Sequence, residues 1–273
     1  MAGISSRFMV HSSKSGPKEK NGDFLKFLGT AGARFVMINQ LRASGGIWVS
    51  SLGTNVLIDP GPGSIVRCSA SKPKLDPTKL DAIILTHRHL DHSGDVNVMI
   101  EAMTEGGFKK RGTVFCPADA LSEDTVILRH ALGFPEKIQT IEAGNSYKAG
   151  NFEFHTSMRH IHPVETYGIK FNIRDTSISI LTDTKYFPEL TDFYQTDMLI
   201  ISVVFKEPRP GIDHLCLADA EELINRVKPK RAILTHFGMT MLSAKPHLQA
   251  EMLTKKLGVP VEAAYDGQTV NFT

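Results

Sequence analysis

The chain has only three cysteines, Cys68, Cys116 and Cys216, scattered and without a Cys-x-x-Cys pair. That spacing suggests neither a disulfide framework nor a cysteine zinc site. Charge of one sign is also missing: the formal net charge is +2, so no strong field for nucleic acid is indicated. No apolar run reaches the roughly eighteen residues of a membrane span, and neither an internal repeat nor a long low-complexity linker divides the 273 residues. Residues 1–23 contain Arg7, Lys14, Lys18 and Lys20 but no apolar core of the kind a secretory signal needs. They predict a flexible leader, while the scattered cysteines fit a reducing cytoplasm and the lack of a membrane span predicts a soluble protein. At 41% hydrophobic, the remainder, 24–273, can bury one large core.

What the chain does have is a dense set of metal-binding side chains. Thr86-His87-Arg88-His89-Leu90-Asp91-His92 puts four of them into six residues, directly after the apolar run Asp81–Leu85, which reads as a buried strand. Val96, Met99, Ile100 and Met103 then recur at helical spacing, with Asp95 as a first-turn acid. The motif is strand, ligand loop, helix. Side chains so close together cannot all serve one tetrahedral ion, so His87 and His89 are expected to face one metal and Asp91 and His92 a second. A dinuclear site needs further N or O donors. The candidates are His162 in His160–Gly168, Asp183 in Ile180–Thr184 and His236 in Ala232–Gly238. His160, two residues before His162 and expected on the same strand face, competes with it.

Strand-like runs open the first half at Phe24–Leu28, Ile47–Ser50, Asn55–Ile58, Ala82–Leu85 and Thr113–Phe115. A second set follows at Phe152–His155, Tyr167–Ile173, Ser177–Leu181, Met198–Ser202 and Arg231–Thr235. Ala220, Leu223, Ile224 and Val227 hold helical spacing up to Pro229, and another helix is expected from Pro246 to Gly258. Two sheets with outer helices account for this order.

The motifs resemble those of the metallo-β-lactamase superfamily, from roughly Phe24 to the C-terminus. The resemblance implies an α/β fold, a four-layer α/β/β/α sandwich. It also implies that His87, His89 and His162 hold one metal, that Asp91, His92 and His236 hold the other, and that Asp183 bridges them. The register to Gly168 favours His162 over His160. Asp59 in Val56–Gly63 looks like the acid that braces the ligand loop, or is an ordinary turn aspartate. Two divalent ions, zinc first and manganese or iron otherwise, imply hydrolysis by a bridging hydroxide, with Asp91 both ligand and base.

The substrate class follows from finer likenesses. β-Lactamases proper carry a cysteine where Asp183 stands, which disfavours antibiotic hydrolysis. The His-x5-Gly-hydrophobic form after His162 resembles the tRNase Z and cyclic-phosphodiesterase branch. Phe205–Leu215 resembles the stretch that supplies an extra active-site histidine in phosphoribosyl cyclic phosphodiesterases. His214 is then the general acid, with Lys206 or Arg209 meeting a phosphate; the duller reading makes His214 a helix-entry residue and the two cations solvated loop charges. Gly29, Gly32 and Arg34 mark a turn, while His130 and His155 read as packing or surface residues. The cysteine-rich insertion of the phosphonate-pathway enzymes is absent, and the long tRNA-binding arm has no room. The expected substrate is a small, cyclic or linear phosphodiester. The alternatives are a lactone or thioester hydrolase, or a noncatalytic metal or nucleotide sensor. The expected partners are a small molecule and, if the chain self-associates, a second copy in a homodimer; no membrane partner is expected.

Overall fold

The computed structural model describes residues 22–122 and 124–273. The leader expected over 1–23 lies outside the described residues except for Gly22 and Asp23, and Asp23 already belongs to the first strand. The strands are β1 (Asp23–Phe27), β2 (Ile47–Ser51), β3 (Thr54–Ile58), β4 (Ala82–Ile84), β5 (Thr113–Pro117), β6 (Lys137–Ile141) and β7 (Ser146–Ala149). They continue as β8 (Phe152–Arg159), β9 (Tyr167–Ile173), β10 (Thr176–Leu181), β11 (Met198–Ser202), β12 (Arg231–Thr235), β13 (Val261–Ala263) and β14 (Thr269–Phe272). The helices are α1 (Ala33–Ile38), α2 (Ser64–Ala70), α3 (Leu90–Ser93), α4 (Val96–Met103), α5 (Leu190–Phe193), α6 (Leu217–Val227), α7 (Met239–Ser243) and α8 (Pro246–Leu257).

Two seven-stranded sheets form, in the orders β14-β1-β2-β3-β4-β5-β6 and β13-β12-β11-β10-β9-β8-β7. Strand alternation divides their side chains between layers. Val56 and Ile58 of β3, Ile84 of β4, Ile178 and Ile180 of β10 and Ile200 of β11 meet in the core between the sheets. Their neighbours Leu57 and Ile83 turn outward onto α4, and Leu199, Ile201 and Leu234 turn outward onto α6 and α8. The result is helix, sheet, sheet, helix, the α/β/β/α sandwich.

β3 through β6 run parallel, as do β10 through β13. Parallel strands covered on both faces read as continuous apolar runs, and their carboxyl ends gather at one rim.

Three local expectations need correcting. Asp95 stands just before α4 and makes no side-chain capping bond to it; its carboxylate accepts from the Ile65 amide, 3.0 Å away, instead of serving the first turn. α6 begins at Leu217 behind the capping residue Cys216, so His214 does not open it. β8 ends at Arg159, so His160 and His162 lie in the following loop and not on a shared strand face.

Candidate metal centre

Asp59 follows β3 and Thr86 follows β4, two adjacent parallel strands in register at Ile58 and Ile84. Asp59 stands at φ 51°, a left-handed conformation uncommon outside glycine and asparagine. That turn aims its carboxylate across the strand ends. Oδ1 accepts from the Thr86 amide at 2.7 Å, and Oδ2 from the Thr86 hydroxyl at 2.7 Å and from His92 Nδ1 at 3.0 Å. These bonds exceed what a turn aspartate needs, and they fix the ligand segment at both ends. Part of that segment is the helical turn α3, which carries Asp91 and His92; the expected bare loop is therefore half helical.

Two sets of side chains converge. His87, His89, His162 and Asp183 bring their donor atoms within 4.8 Å of one another, and so do Asp91, His92, Asp183 and His236. Asp183 belongs to both. His162 Nε2 lies 3.0 Å from His89 Nδ1, and His92 Nε2 lies 2.9 Å from His236 Nε2. Donor nitrogens about 2.0–2.1 Å from a zinc ion approach each other in this way along the edge of its coordination polyhedron. The opposite ring nitrogens are occupied: His92 Nδ1 by Asp59, and His162 Nδ1 by the Asp213 carbonyl at 3.0 Å. A metal-binding imidazole is held by such bonds, which also fix its tautomer. His87 Nε2 and Asp183 Oδ1 are buried with no hydrogen-bond partner. An orphaned buried polar atom costs about 1–3 kcal/mol. Five imidazoles and two carboxylates fit divalent ions that take N and O donors, and a metal bond would satisfy both orphans.

Charge in the cluster is strongly coupled. Burial, then His92 alongside, holds the His87 imidazole far below its ordinary range. Burial and His162 bring His89 down to about 4. Burial opposes ionisation of Asp91 and Asp183, but the adjacent imidazoles, His92 and His236 for Asp91 and His236 and His214 for Asp183, more than reverse it and hold both carboxyls low. His92 moves up despite its burial because Asp91 and Asp59 flank it. Neutral His87 and His89 and ionised carboxylates are the forms that bind metal.

Behind the ligands lies a support that the sequence reading did not identify. His160 points away from both sets; its Nδ1 donates to the Asp183 carbonyl at 3.0 Å and its Nε2 meets the Tyr194 hydroxyl at 2.7 Å. A Cβ on Gly168 would fall 1.7 Å from that hydroxyl, so the glycine of the His-x5-Gly pattern makes room for Tyr194. Gly32 works similarly at His236: a Cβ there would lie 2.1 Å from the His236 carbonyl oxygen and 2.5 Å from Nδ1. His236 itself adopts φ 58°, held by bonds from the Gly32 amide to the Phe237 carbonyl and from the Phe237 amide to the Thr30 carbonyl. Arg34 is exposed nearby.

His214 is 3.6 Å from Asp183 Oδ2 through Nδ1, a buried atom with no hydrogen-bond partner. Its ring centroid is 5.2 Å from that of His162. The Phe205 ring stands 6.1 Å from His214, with the Arg209 guanidinium 5.0 Å from its centroid. Lys206 pairs with Glu207 at 3.0 Å. Lys206 and Arg209 line a cavity of about 520 Å³ with Met239 and Thr240. His130 and His155 lie remote from the cluster, against Glu101 and Ser146.

Residues 54–237 match the Beta-lactamase superfamily domain. An uncharacterised protein of Methanocaldococcus jannaschii is 31% identical over 254 residues, 89% of this chain and 93% of that protein. Ribonuclease Z of Thermoplasma acidophilum is 29% identical over 152 residues, 55% of this chain and 48% of the enzyme. The metallo-β-lactamase fold protein YhfI from Bacillus subtilis superposes with a TM-score of 0.75 at 19% identity, over 92% of this chain and all of that one (100%). A diphosphatase from the PhnP family superposes with a TM-score of 0.67 at 20% identity, over 92% and 97%.

Proposed function

Since this chain belongs to the metallo-β-lactamase superfamily of metallo-hydrolases, we propose that it hydrolyses a small phosphodiester, cyclic nucleotides and cyclic sugar phosphates being the first candidates. His87, His89 and His162 would hold one divalent ion, Asp91, His92 and His236 the other, and Asp183 both. Bound there, zinc, or failing that manganese or iron, supplies a water of lowered pKa and offsets the charge of phosphoryl oxygens.

The observation that carries the choice of leaving group is His214. Its unpartnered, buried Nδ1 sits 3.6 Å from the shared carboxylate, at the margin of the ligand sets. A thiolate leaves without a proton, whereas an alkoxide leaving from phosphorus or from a lactone carbonyl needs one, so an imidazole at this edge favours an oxygen leaving group over a thioester. Asp91, ionised between His92 and His236, orients the attacking water and takes its proton. Ribonuclease Z and the PhnP-family diphosphatase among the similar proteins support chemistry at phosphate.

The test is turnover by metal-reconstituted protein of bis(p-nitrophenyl) phosphate, of p-nitrophenyl phosphate and of a simple lactone. The diester should be cleaved, with little action on the more highly charged monoester. Lactone turnover equal to or faster than diester turnover would shift the assignment to lactone hydrolysis. Absence of turnover on all three and on thioesters would favour a sensor.

A further inference from the structure

Lys26 is the single lysine or arginine that is buried among the described residues, at 4% exposure. Leu25 and Phe27 of β1 point into the core between the sheets, so Lys26 projects to the opposite face, toward α2. Its ammonium donates to the Lys72 carbonyl at 3.2 Å and to the Thr269 hydroxyl at 3.1 Å, which leaves one of three donors. Among the described residues the lysine and arginine ion pairs include neither Lys26 nor its neighbours Arg67 and Lys72.

These three cations line one cavity of about 270 Å³ together with Ser71, Asp266 and Gly267. Arg67 Nε donates to the Leu28 carbonyl at 3.1 Å, leaving the outer guanidinium nitrogens for a ligand. The carboxylate of Asp266 is already engaged, Oδ1 by the Thr30 hydroxyl at 2.7 Å and Oδ2 by the Ala43 amide at 2.8 Å. Three cations facing one carboxylate leave the cavity with an excess of positive charge, which costs free energy through like-charge repulsion, and partial burial draws Lys26 below the usual lysine range. An anion in the cavity would relieve that cost. The volume falls just under the roughly 300–1,000 Å³ of pockets for drug-sized ligands, which limits the occupant to a small group. One guanidinium and two ammonium groups on a single small cavity offer enough charged donors for the several oxygens of a phosphate.

We propose that this cavity, on the outer face of β1 beside α2, binds a phosphate group, free or as a small phosphate ester. None of the seven candidate metal ligands lines it, and the assignment does not depend on the reaction at the metal centre.

Calorimetric titration of the metal-loaded protein, with inorganic phosphate and separately with ribose 5-phosphate, tests it. Wild type is compared with Lys26→Met, Arg67→Gln and Lys72→Ala, each first checked for unchanged metal content and thermal midpoint. Lys72 and Arg67 are more exposed than Lys26, so their variants keep the test open if Lys26→Met fails to fold. A saturable binding event should weaken by about ten- to a hundredfold when a charged donor is removed. The ratio of the two ligands then identifies free phosphate or ester. Binding of equal affinity in wild type and every folded variant, which would locate the phosphate at the metals, or no binding at all, overturns the proposal.

Discussion

His214 stands beside Asp183 and Asp59 behind Thr86 and His92, so their contributions to the proposed centre are separable. Replacing His214 by alanine should leave metal content unchanged while lowering turnover about 10²- to 10⁴-fold, the scale for a positioned general acid. The deficit should be small for p-nitrophenolate, which departs without a proton, and large for a ribose cyclic phosphate; equal losses on both would make His214 a binding or structural residue. Asp59→Ala removes the acceptor of Thr86 and His92 and should weaken metal affinity by about ten- to a hundredfold, as loss of a bond to a ligand does, measured by competition with a chelating dye. Six of the seven candidate ligands were legible because His87, His89, Asp91 and His92 crowd after one apolar run and Asp183 and His236 end two others, whereas His162 was told from His160 only by the register to Gly168 that the family resemblance supplies. Tyr194, the Asp213 carbonyl and the role of Gly32 were not legible, since each reaches the centre from a distant segment and carries no local pattern.

At the scale of elements, every strand read from the sequence is observed, and the four unread ones are β6, β7, β13 and β14. They are the two edges of each sheet. β6 is mostly exposed or half-exposed, and β7 alternates over only four residues. An edge strand needs one covered face and can stay short and polar, so its apolar signal is weak by construction. The reading of Gly29-x-x-Gly32 as a plain turn missed that Gly32 lets β12's exit pack against the β1 loop. Gly168 in β9 carries a comparable demand from Tyr194. Gly168→Ala should cost about 1–3 kcal/mol, the usual toll of overpacking, seen as a lower urea midpoint with unchanged slope. A variant as stable as wild type would mean that Tyr194 has room to move.

Across the whole molecule, each ligand set draws on both sheets. His87, His89, Asp91 and His92 follow β4 of the first, whereas His162, Asp183 and His236 follow strands of the second. A bound metal would therefore clip the halves of the sandwich together, and because the set exists only in the folded chain, binding would stabilise it. Stripping with a chelator should lower the thermal midpoint, and readdition at about a hundred times Kd should restore about 2.7 kcal/mol; an unchanged midpoint would mean that the sheets hold the site without help. Among the described residues no helix is long and apolar enough to cross a membrane. A paired metal centre sharing the Asp183 carboxylate is open to elemental analysis of reconstituted, active protein. Two equivalents of transition metal are predicted for wild type, with both sites depleted in Asp183→Ala; less than one equivalent in a fully active sample would contradict it.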